Sequence, residues 1–481
     1  MVIELVVASP GTAERIVQGK YKQIFTTDTY PVLNQVAPRP SNMADDEVDA
    51  VVPCAARLRT LGYWRRSGAS EGVGRYLRGW LSCALITCIS LSAAETLIAD
   101  TPSDLAELTM TAFEMTVPLT VVSKGVCCIL QRDTIHNLVD LLVDMRRRYG
   151  ERDNGPGRRT ACHLHVLMVQ RVLLVMALSI IGGWVAAPVL PHISSLRSHN
   201  GSAVPWQTPL PLWLPVDMQR SPLYECLYVM QCVCLFMSLA SASALDAFFC
   251  NVTLMITAEL QVLNDNVSSP REKEATVVKG SQKSLPMLFC DEDEAAVLKF
   301  NYGAAEAPAT SATEKDASQN QTYLRLVENI RHHQAILRCI RLLETSMKYS
   351  IPFQLLTSVT SMCFVLFVCA ASLQRGGGLS SALKTILCTP YLIFETGIYC
   401  IYVQEILDQR EKLIHSAVNY EYMQDGAGCG KTLLIFMLMD SSFLEIKVSK
   451  IVPLSKPTFL QILNGSYTLI NLLYHFSIPD E

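Results

Sequence analysis

Seven nearly uncharged stretches, each long enough to cross a bilayer as a helix, constrain this chain more than any other feature. A hydrocarbon core about 30 Å thick takes roughly 20 residues of α-helix. Apolar windows of that length recur at residues 79–98, 105–130, 166–190, 224–250, 351–373, 382–403 and 457–476. Composition agrees: 50% of the 481 residues are hydrophobic and 17% charged, against about 25% charged in soluble domains. The expected fold is all-α, a seven-transmembrane helical membrane protein.

Basic residues set the orientation. The joint between the first two spans has no Lys or Arg but carries Asp100 and Asp104. The next joint holds Arg132, Arg146, Arg147, Arg148, Arg152, Arg158 and Arg159. Only Arg197 and Arg220 follow span three, eleven Lys or Arg lie between spans four and five, and Arg375 is nearly alone after span five. By the positive-inside tendency this alternation leaves the N-terminus in the cytoplasm and the C-terminus outside, the reverse of a G-protein-coupled receptor. The last span agrees, since Lys447, Lys450 and Lys456 flank only its N-terminal side. No signal peptide is evident in residues 1–10, which lack a basic n-region and contain Glu4, so span one is expected to act as the insertion signal.

The chain divides accordingly into a cytoplasmic tail (1–62), spans one to four (63–263), a disordered cytoplasmic loop (264–321), and anchor helices with spans five to seven (322–481). Helical pattern continues from Tyr224 to Leu263, roughly 60 Å of helix, too long for the bilayer, so its end is expected to project into the cytoplasm. The loop is rich in Ser, Ala, Thr and Glu and has an acidic run at 291–294, a composition unable to offset ordering entropy. Lys431 to Met439 reads as a helix too short to cross.

Little in the chain points to catalysis. The glycine-rich stretch from Asp425 through Lys431 to Thr432 resembles a phosphate-binding loop, but aspartate stands where the first glycine belongs, and a carboxylate there repels phosphate. No nucleophile–base–acid set appears, and neither nucleotide nor nucleic acid is an expected partner. Many of the 17 cysteines lie in apolar runs, where Cys acts as a small hydrophobe, so neither a metal nor a cofactor is expected. Intramembrane charge is costly and marks cavities or partners; Glu114, Asp246 and Glu395 qualify, with Lys124 a further polar exception in span two. Asp246 is expected near the cytoplasmic interface. Asn200, in Asn-Gly-Ser, is a glycosylation candidate in the outer loop.

Several segments, in order over about residues 54–476, resemble the insect odorant receptor family. They are KGVCCILQRDTIHNLVDLL from Lys124, WLPVDMQRSPLYECLYVMQ from Trp213, IRHHQAILRCIRLLE from Ile330, QEILDQREKLIHSAVNYEYM from Gln404, KTLLIFMLM from Lys431 and VPLSKPTFLQILNGSYTLINLL from Val452. The outer-loop signature is carried by Leu214, Pro215, Ser221, Pro222, Tyr224, Glu225, Tyr228 and Gln231. Departures exist: Tyr420-Glu-Tyr422 lacks the family's usual Trp, and the second cytoplasmic loop is long.

The resemblance implies a ligand-binding subunit of an odorant-gated cation channel in the plasma membrane of sensory neurons. It also implies assembly with an odorant co-receptor as a heterotetramer, in contact with membrane lipid, joined through a cytoplasmic helical anchor region made by the inner ends of spans four to six and a short helix before span seven. A small volatile organic ligand is expected among the outer halves of spans two, three, four and six. Lining candidates there are Met110, Phe113, Ile181, Trp184, Tyr228, Gln231, Tyr391 and Phe394. By the same resemblance Leu472, His475 and Phe476 line the pore. Two alternatives stay open. The long loop is a trait of the co-receptor, which conducts without its own odorant specificity, and the related gustatory receptors share the fold.

Overall fold

The computed structural model describes residues 48–49, 51–64, 73–149, 155–190, 207–211, 220–268, 312–374, 379–418, 447–448 and 452–477. In a bilayer the backbone must satisfy its own hydrogen bonds, and the described residues are helical almost throughout. The exception is one antiparallel pair, β1 (Lys447–Val448) with β2 (Val452–Pro453).

Helix α1 (Ala55–Leu61) ends at Gly62, whose φ of +88° is the left-handed step that closes a helix. A Cβ on Gly62 would lie 2.4 Å from the Gly79 amide nitrogen, so two glycines let this turn rest on α2 (Val73–Ala99). The segment then locks in. Ser82 donates to the Leu61 carbonyl at 3.0 Å and Tyr63 to Ser241 Oγ at 3.3 Å. Trp64 packs on the His136 and Phe248 rings with centroids 5.2 and 5.6 Å away. Much of this segment falls within the stretch read from sequence as a tail, yet Val52, Cys54, Ala55 and Leu58 are fully buried. It is too short to show a period, and only the groove it fills makes it helical.

Asp104 caps α3 (Leu105–Leu130) by accepting from the Ala106 amide at 3.3 Å. After one turn residue the chain enters α4 (Arg132–Arg148), which buries Ile135, Leu138, Val139 and Leu142 along one stripe. Helix α5 (Gly155–Ala186) begins well before the expected span. Its early arginines are both paired, half-exposed Arg158 with Asp265 at 3.1 Å and buried Arg159 with Glu259 at 2.7 Å.

Helix α6 (Leu223–Ser268) has 46 residues, about 69 Å of length against a core of about 30 Å. Its outer third shows Val229, Met230, Val233 and Phe236 to the surroundings, whereas every residue from 241 to 260 is buried. A helix apolar all round is a core helix, and the small residues 240–244 let neighbours approach closely. Around it pack α2, α5, α7 (Ala312–Met347) and α9 (Leu379–Val418). Helix α8 (Ser350–Gln374) lies on α3, α9 and α10 (Lys456–Ser477). Residues 312–321, expected in the disordered loop, extend α7 as helix; the loop interior, 269–311, lies outside the described residues.

Helices α2, α3, α5, α6, α8 and α9 have the length and hydropathy to cross a membrane. With 22 residues, α10 is about 33 Å long and also suffices. The basic residues Arg146, Arg147, Arg148, Arg158, Arg331, Arg338 and Arg410 gather at the end of the bundle where α4 and α7 pack, which is therefore cytoplasmic. The plug at 48–64 sits there through the Trp64–His136 contact. Lys456 pairs at 3.3 Å with Asp408 near the same end, so α10 runs outward from it.

Candidate functional site

The polar side chains inside the bundle fall into two tiers. Glu114 and Lys124 stand ten residues apart on α3, about 15 Å of axial rise.

The outer tier lies beneath residues 207–211, which strap the outer ends of three helices. Gln231 on α6 closes on Leu210 in both directions, accepting from its amide at 3.1 Å and donating to its carbonyl at 3.3 Å. Ser92 on α2 donates to the Pro211 carbonyl at 3.0 Å, and Lys384 on α9 to that of Pro209 at 3.0 Å. Beneath the strap the Lys384 ammonium lies 4.5 Å over the Trp184 ring, whose indole N–H donates to Cys388 Sγ at 3.4 Å. Gly183 makes this possible: a Cβ there would stand 2.2 Å from Leu387 Cδ1, so α5 and α9 meet closely beside Trp184. Tyr228 donates to the Val185 carbonyl at 2.6 Å, tying α6 to α5. At a similar depth on α3, eight and nine residues from its outer start, Phe113 and Glu114 are both buried.

The inner tier is an ion cluster joining α3, α6 and α9. Lys124 Nζ lies 2.7 Å from Asp246 and 2.6 Å from Glu395. Tyr399 donates to the same Asp246 oxygen at 2.6 Å and Tyr391 to the other at 3.3 Å. The Tyr399 ring stacks on Phe249 with centroids 4.3 Å apart. One ammonium faces two carboxylates, so the tyrosine hydroxyls carry part of the compensation at Asp246. Asp246, expected from the sequence near the cytoplasmic interface, is fully enclosed by protein, with 0% exposure. Such a pair is stabilising only while intact. Helix α3 packs closely on α2 and α8 but not on α9, and Lys124 spans that interval.

A third cluster sits beyond the bilayer. Glu259 is 36 residues along α6, about 54 Å from its outer end. It accepts from Arg159 at 2.9 and 2.7 Å and meets His332 Nε2 at 3.2 Å. Arg159 also donates to the Tyr149 carbonyl at 3.1 Å, and the Tyr149 ring stacks on His332 with centroids 4.1 Å apart. Burial alone would raise the Glu259 carboxyl, but the hydrogen bonds from His332 and Arg159 outweigh it and hold it down at about 2. This cluster fastens α5, α6 and α7 into the anchor region. In the sequence, His332 and His333 stand out only as part of the segment from Ile330, and nothing local marks Glu259, 73 residues away, as their partner.

Of the lining candidates, Phe113, Trp184, Tyr228 and Gln231 belong to the outer tier. The amide of Gln231 is committed to the strap, and Tyr228 to a backbone carbonyl. Met110, Ile181 and Phe394 are half-buried. Tyr391 belongs to the inner tier through Asp246. Sequence reasoning did not single out Lys384, Cys388 or the strap; the Lys384 charge in an otherwise apolar stretch was the available signal. Leu472, His475 and Phe476 fall within α10, and their side chains lie outside the described residues, as do Asn200, the stretch 425–432 and residues 431–439.

Fold and clusters together define a polytopic helical membrane protein with an outer aromatic-polar tier and a long helical anchor. Residues 104–467 match the sequence profile of the 7tm odorant receptor family, and the chain belongs to that family. It is 27% identical to Odorant receptor 19a of Drosophila melanogaster over 149 residues, a stretch covering 31% of this chain and 38% of that relative. The insect olfactory receptor OR5 from Machilis hrabei shares the fold, with a TM-score of 0.66 at 14% identity over 89% of this chain and 99% of that one. The same receptor in complex with eugenol gives a TM-score of 0.64 at 13% identity, covering 90% and 100%.

Proposed function

We propose that this chain is an odorant receptor of the ligand-binding kind. In this reading it forms one subunit of a heteromeric odorant-gated cation channel in the plasma membrane of sensory neurons, completed by co-receptor subunits in a heterotetramer. The observation that carries it is the outer tier, where Trp184 and Lys384 meet under the 207–211 strap, with Phe113 and Glu114 buried on the outer part of α3. Small-ligand sites combine apolar walls with a few placed polar groups, and this tier has both.

Gating follows from differential affinity. A ligand opens the channel only if it binds the open arrangement better than the closed one. Helices α5, α6 and α9 contribute to the outer tier and continue into the cytoplasmic anchor, so a shift at the tier reaches the subunit-joining region through rigid helices. The outer part of α10, with Leu472, His475 and Phe476, forms the pore lining in this account. The chain carries out no catalysis, and selectivity lies in binding.

The test is current recording from cells expressing the chain with and without a co-receptor, under an odorant panel. Odorant-evoked current in co-expressing cells alone supports the proposal. The length of the segment between α6 and α7 favours a second reading, a co-receptor-like subunit. Current from this chain alone, opened by co-receptor agonists, would support that instead.

A further inference from the structure

We propose that the outward face of α5 around Arg171 docks an anionic phospholipid of the cytoplasmic leaflet, whose phosphate the Arg171 guanidinium takes. Arg171 is the one charged residue between 166 and 190. It is exposed, and among the described residues it has no hydrogen-bond or ion-pair partner. The carboxylates that meet the inner part of α5, Glu259 and Asp265, are already held by Arg159 and Arg158. Leu164, Met168, Arg171, Val175 and Leu178 recur at helical spacing and form one stripe, and its four apolar members are each more than half exposed. The opposite face, with Val166, Val169, Leu173 and Ala177, is buried in the bundle. Arg171 therefore points at whatever surrounds the bundle, and a charge aimed at hydrocarbon is costly until it reaches a partner.

Depth names that partner. Arg171 lies fifteen residues inward of Ala186, the outer end of α5. That is about 22 Å of rise, which leaves about 8 Å of a core about 30 Å thick before the cytoplasmic boundary. Helical side chains lean toward the amino end, which in α5 is the cytoplasmic one, so the guanidinium snorkels to head-group level. Polar contacts mark the same region. Gln170, the preceding residue, accepts from Arg57 of α1 at 3.2 Å. Six residues nearer the cytoplasm, the exposed His165 ring meets the Tyr402 hydroxyl at 3.1 Å, a polar-aromatic pair suited to a membrane interface. A guanidinium pairs with phosphate in a bidentate fork. A zwitterionic head group brings its own cation to compete for that phosphate, whereas phosphatidylglycerol brings none. Met168 and Val175, one turn to either side, pack against the acyl chains. A carboxylate from another protein would have to be held in hydrocarbon at this height, whereas the inner leaflet supplies anionic phosphate throughout.

The experiment reconstitutes the full-length chain in vesicles of equal parts phosphatidylcholine and phosphatidylglycerol, extracts it gently and measures the retained lipids by mass spectrometry. The wild type is expected to retain phosphatidylglycerol over phosphatidylcholine by roughly fivefold, the preference that one basic residue at an anionic surface supplies. Arg171→Leu, which matches the apolar neighbours on its stripe, should bring the ratio to that of the vesicle while eluting as a folded species in size exclusion. Arg171→Lys keeps the charge without the fork and should fall between the two. Should the leucine variant aggregate, Arg171→Gln takes its place with the same expected loss. A wild-type ratio equal to that of the vesicle overturns the proposal, as does an unchanged preference in the leucine or glutamine variant. Loss of the preference when inorganic phosphate is added would make the occupant a free anion and overturn the lipid assignment. So would an unchanged lipid ratio in a variant that no longer co-purifies with co-receptor, since the face would then join subunits.

Discussion

Replacing Lys124 with methionine removes the one ammonium between Asp246 and Glu395 while keeping most of the side-chain volume. Both carboxylates contact the same nitrogen, at 2.7 and 2.6 Å, so their oxygens are no more than about 5 Å apart. Two unit charges at that separation repel by about 3 kcal/mol at an effective dielectric of 20. Removing one partner of a buried ion pair costs roughly 3–5 kcal/mol in general. Lys124→Met should therefore destabilise by about 3–5 kcal/mol, a large share of the margin typical of folded domains. The triple variant Lys124→Met, Asp246→Asn, Glu395→Gln removes all three charges and should recover most of that loss, because the amide at 246 accepts from one tyrosine hydroxyl and donates to the oxygen of the other. Thermal unfolding of the solubilised protein, followed by fluorescence-detected size exclusion, measures both. A melting profile unchanged in Lys124→Met, or a triple variant less stable than the single one, would refute the reasoning.

Three further perturbations probe the other layers. Glu259 has its carboxyl held at about 2, below the ordinary value near 4.3, so its contribution, on the order of 3 kcal/mol, is complete above the unfolded value and lost as pH falls toward 2. Stability of solubilised protein should drop more steeply from pH 4.5 downward in the wild type than in Glu259→Gln; parallel pH profiles would count against the cluster. Leu58→Ala should cost roughly 2–5 kcal/mol, as for other buried leucines, and lower the melting temperature; no change would mean that the segment at 48–64 is not packed as described. Gly183→Ala places a methyl against Leu387, an overpacking worth about 1–3 kcal/mol, and should raise half-maximal odorant concentrations. Adding Leu387→Ala should restore them, and an additive double variant would contradict close contact at that point.

Much of the architecture was legible because bilayer physics leaves few choices. Span-length apolar windows sufficed for the bundle, and alternating loop charge is what assigns its direction. Clusters were not legible in the same way. Lys124 finds Asp246 and Glu395 across separations of 122 and 271 residues, and no local period encodes such a meeting. Sequence flagged each as an unexpected charge in an apolar run, which is the signal available. The α1 segment escaped because seven residues carry too little pattern, and its helicity depends on the groove formed by α2, α4 and α6. Residues 312–321 read as disordered from composition, yet they continue a helix nucleated by the apolar face that follows them. The strap at 207–211 was hidden because its order comes from side chains of Gln231, Ser92 and Lys384 bonding to its backbone.

Sidedness is what the outer tier, the inner cluster and the anchor all depend on, and it is directly measurable. Epitope tags are placed at the two ends of the chain and labelled by antibody before and after permeabilising the cells. The account requires the C-terminal tag to be labelled on intact cells and the N-terminal tag only once the membrane is opened. Labelling of the N-terminal tag on intact cells, with the C-terminal tag hidden, would turn the bundle over and contradict it.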